Sequence, residues 1–149
     1  MVPYNKPETL QTGNVTDCTG LLSNGGFEAD LTGWEVGRRP DNISITTDSK
    51  VGNKALIIGA ATTSSTLEYI LPNTLPRGST VTIEFWCKGW HGNSVVKVGM
   101  QGGGGLSATR SCSSTQWTQQ AVTMTLNEDK NRFTLGGAIV FIDDIIVTN

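Results

Sequence analysis

The chain has 149 residues with 18 Gly, 5 Pro, 3 Cys and a formal net charge of −2, a length that predicts one domain with a sizeable core. Its 11 basic residues are outnumbered by 13 acidic ones, which leaves no basic field for a nucleic-acid backbone. No apolar run approaches the ~18–20 residues of a membrane-spanning helix, so no membrane partner is expected.

Twenty Thr and 11 Ser stand beside those glycines. Thr is stiff at χ1 and Gly interrupts helices, so the composition leans to β-structure. Residues 1–19, rich in Pro, Asn, Thr and Gly, read as a linker-like leader without the basic start and apolar stretch of a secretory signal. Two origins fit them: a chain kept inside the cell, or a mature fragment of a longer secreted chain.

From Leu21 onward short alternating runs are separated by turn clusters. Ile43 and Ile45 alternate with Ser and Thr, and Ala55 to Ile58 form a short apolar run after Val51-Gly-Asn53. Leu67, Tyr69 and Leu71 alternate with Thr66, Glu68 and Ile70. Val81, Ile83, Phe85 and Cys87 alternate with Thr82, Glu84, Trp86 and Lys88, the clearest period-2 segment in the chain. Val96, Val98 and Met100 precede the Gly102–Gly105 run. Val122, Met124 and Leu126 follow, and after the charged turn Asn127–Asn131 come Phe133-Thr-Leu135 and Ile139 to Val147. Eight or so short strands at this spacing predict one all-β domain over residues 20–149, an antiparallel sandwich or jelly roll.

Little in the chain assembles an active site. The single histidine, His91, lies in the turn Gly89-Trp-His-Gly92, and no GxSxG elbow accompanies it. No GK[ST] follows Gly102–Gly105, which argues against a phosphate cradle. Asp143 and Asp144 are neighbours on a strand-like run, so their side chains are expected on opposite faces and not around one glycosidic bond. A non-enzymatic role is expected. The odd cysteine count lacks CxxC spacing. Cys87 continues an apolar face and reads as a buried thiol; a Cys18–Cys112 bridge and three unpaired thiols both stay open.

Four motifs stand in order along the chain: Leu21-Leu-Ser-Asn-Gly-Gly-Phe-Glu28, Leu31-Thr-Gly-Trp34, Asp48-Ser-Lys-Val-Gly-Asn-Lys-Ala-Leu56 and Phe141-Ile-Asp-Asp-Ile-Ile-Val147. This series resembles the galactose-binding-domain-like jelly-roll carbohydrate-binding modules of families 4, 9, 16 and 22. Thr80-Val-Thr-Ile-Glu-Phe-Trp86 looks like the family's inner strand. The resemblance implies a two-sheet antiparallel sandwich without catalysis, extracellular, attached to a glycan-active enzyme or surface protein and bound as a monomer to polysaccharide. It also implies a structural Ca²⁺ that ties the N-terminal turn to the last strand, with Glu28, Asp48, Lys50, Asn53, Asp143 and Asp144 at the matching positions. Calcium takes six to eight hard oxygens, so carboxylates of Glu28 and one Asp with the carbonyls of Lys50 and Asn53 suit it.

A sugar site needs flat aromatic surfaces and planar polar groups. If Val81, Ile83, Phe85 and Cys87 face the core, then Glu84, Trp86 and Lys88 face outward. The same logic aims Lys97 and Gln101 outward from the next strand, and Trp117 and Gln119 from a later one. The expected binding face is therefore one band of Trp86, Glu84, Lys97, Gln101 and Gln119 across adjacent strands, with Trp90 and His91 as a rim. Trp34 is a candidate stacking partner or a core plug. Arg38 and Arg39 fall where members of the family place cleft residues, although Gly37 stands where some carry a Tyr. The alternative function is a structural or adhesive jelly roll that binds another protein.

Overall fold

The computed structural model describes residues 20–37, 40–59, 65–90, 92–101 and 106–149. The leader 1–19 with Cys18, and also Arg38, Arg39, His91 and Gly102–Gly105, lie outside the described residues. Period-2 patterning produces the strands: in Thr80–Gly89 the apolar set Val81, Ile83, Phe85 and Cys87 is buried, while Glu84 on the same strand is exposed.

The elements run β1 (Trp34–Val36), a single 3₁₀ turn (Pro40–Asn42), β2 (Ile43–Thr46), β3 (Ala55–Ile58), β4 (Ser65–Leu75), β5 (Thr80–Gly89), β6 (Val95–Gln101), β7 (Leu106–Ser111), β8 (Thr118–Thr125), β9 (Lys130–Ala138) and β10 (Val140–Thr148). The strands form two five-stranded sheets, ordered β1-β4-β9-β6-β7 and β2-β3-β10-β5-β8, and every pairing is antiparallel. Chain-adjacent β5 and β6 lie in different sheets, so the connection between them crosses the sandwich. The core fills the space between the layers: Ile83, Phe85 and Ile142 of the second sheet, with Val98, Phe133 and Leu135 of the first, are all nearly inaccessible.

Two strands escape the sequence reading. β1 has three residues, too few for a period. In β7, Leu-Ser-Ala-Thr-Arg-Ser, the inward positions are only half-buried, because it is an edge strand with one paired side.

The cysteines differ from expectation. Cys87 is not a free thiol; it pairs with Cys112 across 6.1 Å between Cα atoms. Backbone bonds bring the two together: Gly89 N donates to Ser114 O at 2.8 Å and Cys112 N to Ser94 O at 2.8 Å. The bridge thus ties β5 of the second sheet to the segment leaving β7 of the first. It also excludes a Cys18–Cys112 bridge, since Cys112 is already paired.

Candidate functional site

The N-terminal motif is a turn organised by one buried amide. Asn24 Oδ1 accepts from Ala29 N at 3.1 Å, and its Nδ2 donates to Asp30 O at 2.9 Å and Thr32 O at 3.0 Å. Its carbonyl accepts from Trp34 Nε1 at 3.0 Å. Trp34 is therefore a core plug and not a ligand surface. It is 7% exposed and packs against Phe27, Tyr69 and Phe133 at centroid distances of 5.4, 5.3 and 5.9 Å. The turn is laid along the last strand by Leu21 N to Val147 O and Ile145 N to Gly25 O, both 2.8 Å.

From that turn Glu28 reaches the 48–54 loop. Its carboxylate accepts from Asn53 N at 2.9 Å and Lys54 N at 2.9 Å. Gly52 has φ +68°, and a Cβ there would stand 2.6 Å from Glu28 Cδ, so only glycine admits this docking. Asp143 approaches the same loop from β10, where Oδ2 accepts from Lys50 N at 2.8 Å and Val51 N at 2.9 Å and Oδ1 from Asp144 N at 2.8 Å. Asp143 is fully buried. Burial pushes its carboxyl up to about 8, against the pull of those backbone donors and with a small further rise from neighbouring Asp144.

Of the two neighbouring acids, Asp143 is the one turned to the loop. Asp144 adopts φ +53° where the register with β5 shifts, so simple alternation does not hold there. Asp48 does not join this group, because its Oδ2 accepts from Lys88 Nζ at 2.6 Å on the sheet face. Glu28 and Asp143 meet the backbone N–H groups of Lys50 and Asn53's turn, whereas the sequence reading invoked its carbonyls. Among the described residues no three His, Cys, Asp or Glu side chains converge as a metal cluster.

The expected single band of sugar-binding residues is divided between two outer faces. Lys97 and Gln101 belong to β6 and the first sheet; Glu84, Trp86 and Gln119 belong to β5 and β8 of the second. The physical reason is the crossover between β5 and β6, which period-2 patterning does not register. Trp86 and Gln119 do share a face as direct cross-strand partners. Trp86 is half-buried, with Lys50 Nζ 4.5 Å from its ring centre. Trp90 stands beyond it, exposed.

On the first sheet a groove of ≈ 300 Å³ crosses the strands, lined by Thr66, Glu68, Lys97, Gln101, Ser107 and Thr134, with Gly136 in its wall. The register sets Gln101 opposite Arg132 and Glu68 opposite Thr134. Arg132 Nη1 donates to Glu68 Oε1 at 2.7 Å and lies 3.8 Å from Glu35 Oε1. Glu68, Arg132, Thr134 and Ser107 were missed from sequence. Glu68 alternates with buried Leu67 and Tyr69, which marks it as outward, but nothing local says which outward residues meet.

Residues 19–136 match the carbohydrate binding domain family of types 4 and 9. Among solved structures, a family 61 module crystallised with β-1,4-galactotriose is similar at TM-score 0.63 and 19% identity, over 87% of this chain and 98% of that one. A family 16 carbohydrate-binding module has TM-score 0.66 and 17% identity over 87% and 99%. A Clostridium thermocellum xylanase fragment, a family 22 module with its catalytic module in complex with xylohexaose, has TM-score 0.60 and 15% identity over 84% and 28%. No curated protein matches the chain. With the family match running through all but the last strand of a two-sheet jelly roll, the chain belongs to the carbohydrate binding domain family of types 4 and 9.

Proposed function

We propose that the chain is a non-catalytic module that lays a plant-type polysaccharide (β-glucan, mannan or xylan) in the groove of the first sheet. There it would hold a larger secreted glycan-active enzyme or surface protein on the polymer, outside the cell and as a monomer. The observation that carries this reading is the groove itself. Glu68, Lys97, Gln101, Ser107 and Thr134 set acceptors and donors along an open channel of ≈ 300 Å³, and adjacent sugar hydroxyls need such pairs. Glu68 is held in place by Arg132 at 2.7 Å, so its second oxygen is pre-oriented for a hydroxyl. The solved relatives bound to galactotriose and xylohexaose support the ligand class without selecting the sugar.

Binding of this open, polar kind is expected in the micromolar-to-millimolar range, roughly −8 to −4 kcal/mol. The test is retention on insoluble β-glucan, mannan and xylan. Paired Glu68→Ala and Gln101→Ala substitutions should weaken it by about tenfold, as two hydrogen bonds of ~0.5–1.5 kcal/mol are lost. A wild-type chain kept by none of these polymers removes the glycan reading and favours the structural or adhesive one.

The same reading includes a structural Ca²⁺ between the N-terminal turn, the 48–54 loop and β10. The fit rests on Asp143, a fully buried carboxyl that no Lys or Arg among the described residues pairs with. A hard cation would compensate its charge, with Glu28 as the second carboxylate; the carbonyls of Lys50 and Asn53 would join only if the loop turned, since its N–H groups face both carboxylates here. Bound there, the ion would cross-link the two ends of the module. Asp48, engaged with Lys88, is left out of the set.

A further inference from the structure

The outer face of the second sheet carries an aromatic cluster that the groove does not use. Trp90, just past the end of β5, is 45% exposed. Its ring meets Phe141 of β10 edge-on at 5.1 Å, and Trp117 meets the same Phe141 at 6.4 Å. Lys88 Nζ lies 5.0 Å from the centre of Phe141 and 5.2 Å from that of Trp117, while donating to Asp48 at 2.6 Å. The cluster is held from below: the Cys87–Cys112 bridge and the Gly89 N to Ser114 O bond fasten the segment that leads into Trp117 against β5. A Cβ at Gly89 would collide with Cys112 O, so glycine is required for this approach.

We propose that this face is a second glycan site, on which pyranose rings of a β-linked polysaccharide stack against Trp90 while Lys88 and Asp48 hydrogen-bond their hydroxyls. The inference rests on the glycan-binding reading above and extends it to the opposite side of the sandwich. The chemistry selects a sugar over a protein partner. A stable protein interface covers about 800 Å² per partner, whereas here the apolar surface is a few rings interrupted by an ion pair. Covering that pair with a protein surface would strip its water at a cost. A sugar ring instead places C–H groups on the indole and offers hydroxyls that both accept from the ammonium and donate to the carboxylate. Two sites on opposite faces let one chain bridge two polymer strands and gain avidity without further contacts.

The four indole N–H signals of the chain provide the test, followed by nitrogen–proton NMR during titration with cellohexaose, mannohexaose and xylohexaose. The Trp90 signal, identified by its loss in Trp90→Ala, should shift saturably with at least one hexaose, and should do so equally in the Glu68→Ala/Gln101→Ala variant. The core signal of Trp34 should not move. On the insoluble form of the same polymer, Trp90→Ala should bind roughly 2- to 10-fold more weakly than wild type, with Trp90→Phe recovering part of the loss.

If the backbone amide signals of Glu68, Lys97 and Gln101, followed in the same spectra, shift and Trp90 stays still, the second site is refuted and the groove reading stands. If Trp90 shifts while the groove variant binds as wild type, the second site holds and the groove falls. No shift anywhere overturns both. A Trp90 response that tracks self-association in sedimentation, and not sugar concentration, makes this face a protein contact and refutes the proposal.

Discussion

Replacing Cys87 and Cys112 together by alanine should cost about 3.5 kcal/mol of stability. The bridge closes a loop of sequence separation 25, and the chain-entropy relation gives that figure for the closure no longer imposed on the unfolded state. For a domain of this size each kcal/mol moves the midpoint by roughly 2–4 °C, so the melting temperature should fall by about 10 °C. Calorimetry at matched concentration measures the shift, and urea unfolding adds a second signature. The opened unfolded chain exposes more surface, so the m-value should rise as well as the midpoint fall. Because Cys112 leads into the segment carrying Trp117, the variant should also weaken binding at the Trp90 face while leaving the groove unaffected. A melting shift below about 3 °C with unchanged m would refute the loop-closure reasoning.

Asp143 should make stability depend on pH in the direction opposite to an ordinary paired acid. Its folded value is raised from 3.8 to about 8, so between those limits the folded state keeps a proton that the unfolded state has lost, and stability falls as pH rises through that window. In chelator, melting temperature should decline from about pH 4 to 8; added Ca²⁺ should raise it and flatten the decline, and a flat profile in chelator or no response to calcium would count against the assignment. Trp34→Ala should destabilise by roughly 3–5 kcal/mol as a large buried ring is lost, whereas Trp90→Ala, at an exposed position, should stay within about 0.5 kcal/mol. Denaturant midpoints for the pair check this contrast, and equal losses would mean that Trp90 is structural.

Legibility differed by the range of the interaction involved. The strands Thr80–Gly89 and Val95–Gln101 were readable because burial of one face imposes period 2, and Ala55–Ile58 because a strand buried on nearly every residue reads as a short apolar run. The inward set Val81, Ile83, Phe85, Cys87 and the outward Glu84, Trp86, Lys88 follow from the same rule. The groove was only half legible. Lys97 and Gln101 could be placed outward, but their neighbours Glu68 and Thr134 come from β4 and β9, strands more than 25 residues away on either side. The pairing of Cys87 with Cys112 was hidden for a related reason. Two cysteines whose Cα atoms stand 6.1 Å apart announce themselves only after the chain has crossed from one sheet to the other and back.

By itself the sequence determined a sparsely charged, Thr- and Gly-rich β domain, the inside and outside of its main strands, and the ordered motifs of a carbohydrate-binding jelly roll. Side-chain alternation and turn chemistry are local, so they are written residue by residue. Tertiary structure alone decided that β5 and β6 part into opposite sheets, that Trp34 is sealed in the core, and that Asp48 turns to Lys88 while Asp143 turns to the 48–54 loop. Each of these depends on which distant segment fills the space beside a strand. That choice is made by the packing of two whole sheets and not by any one stretch of chain.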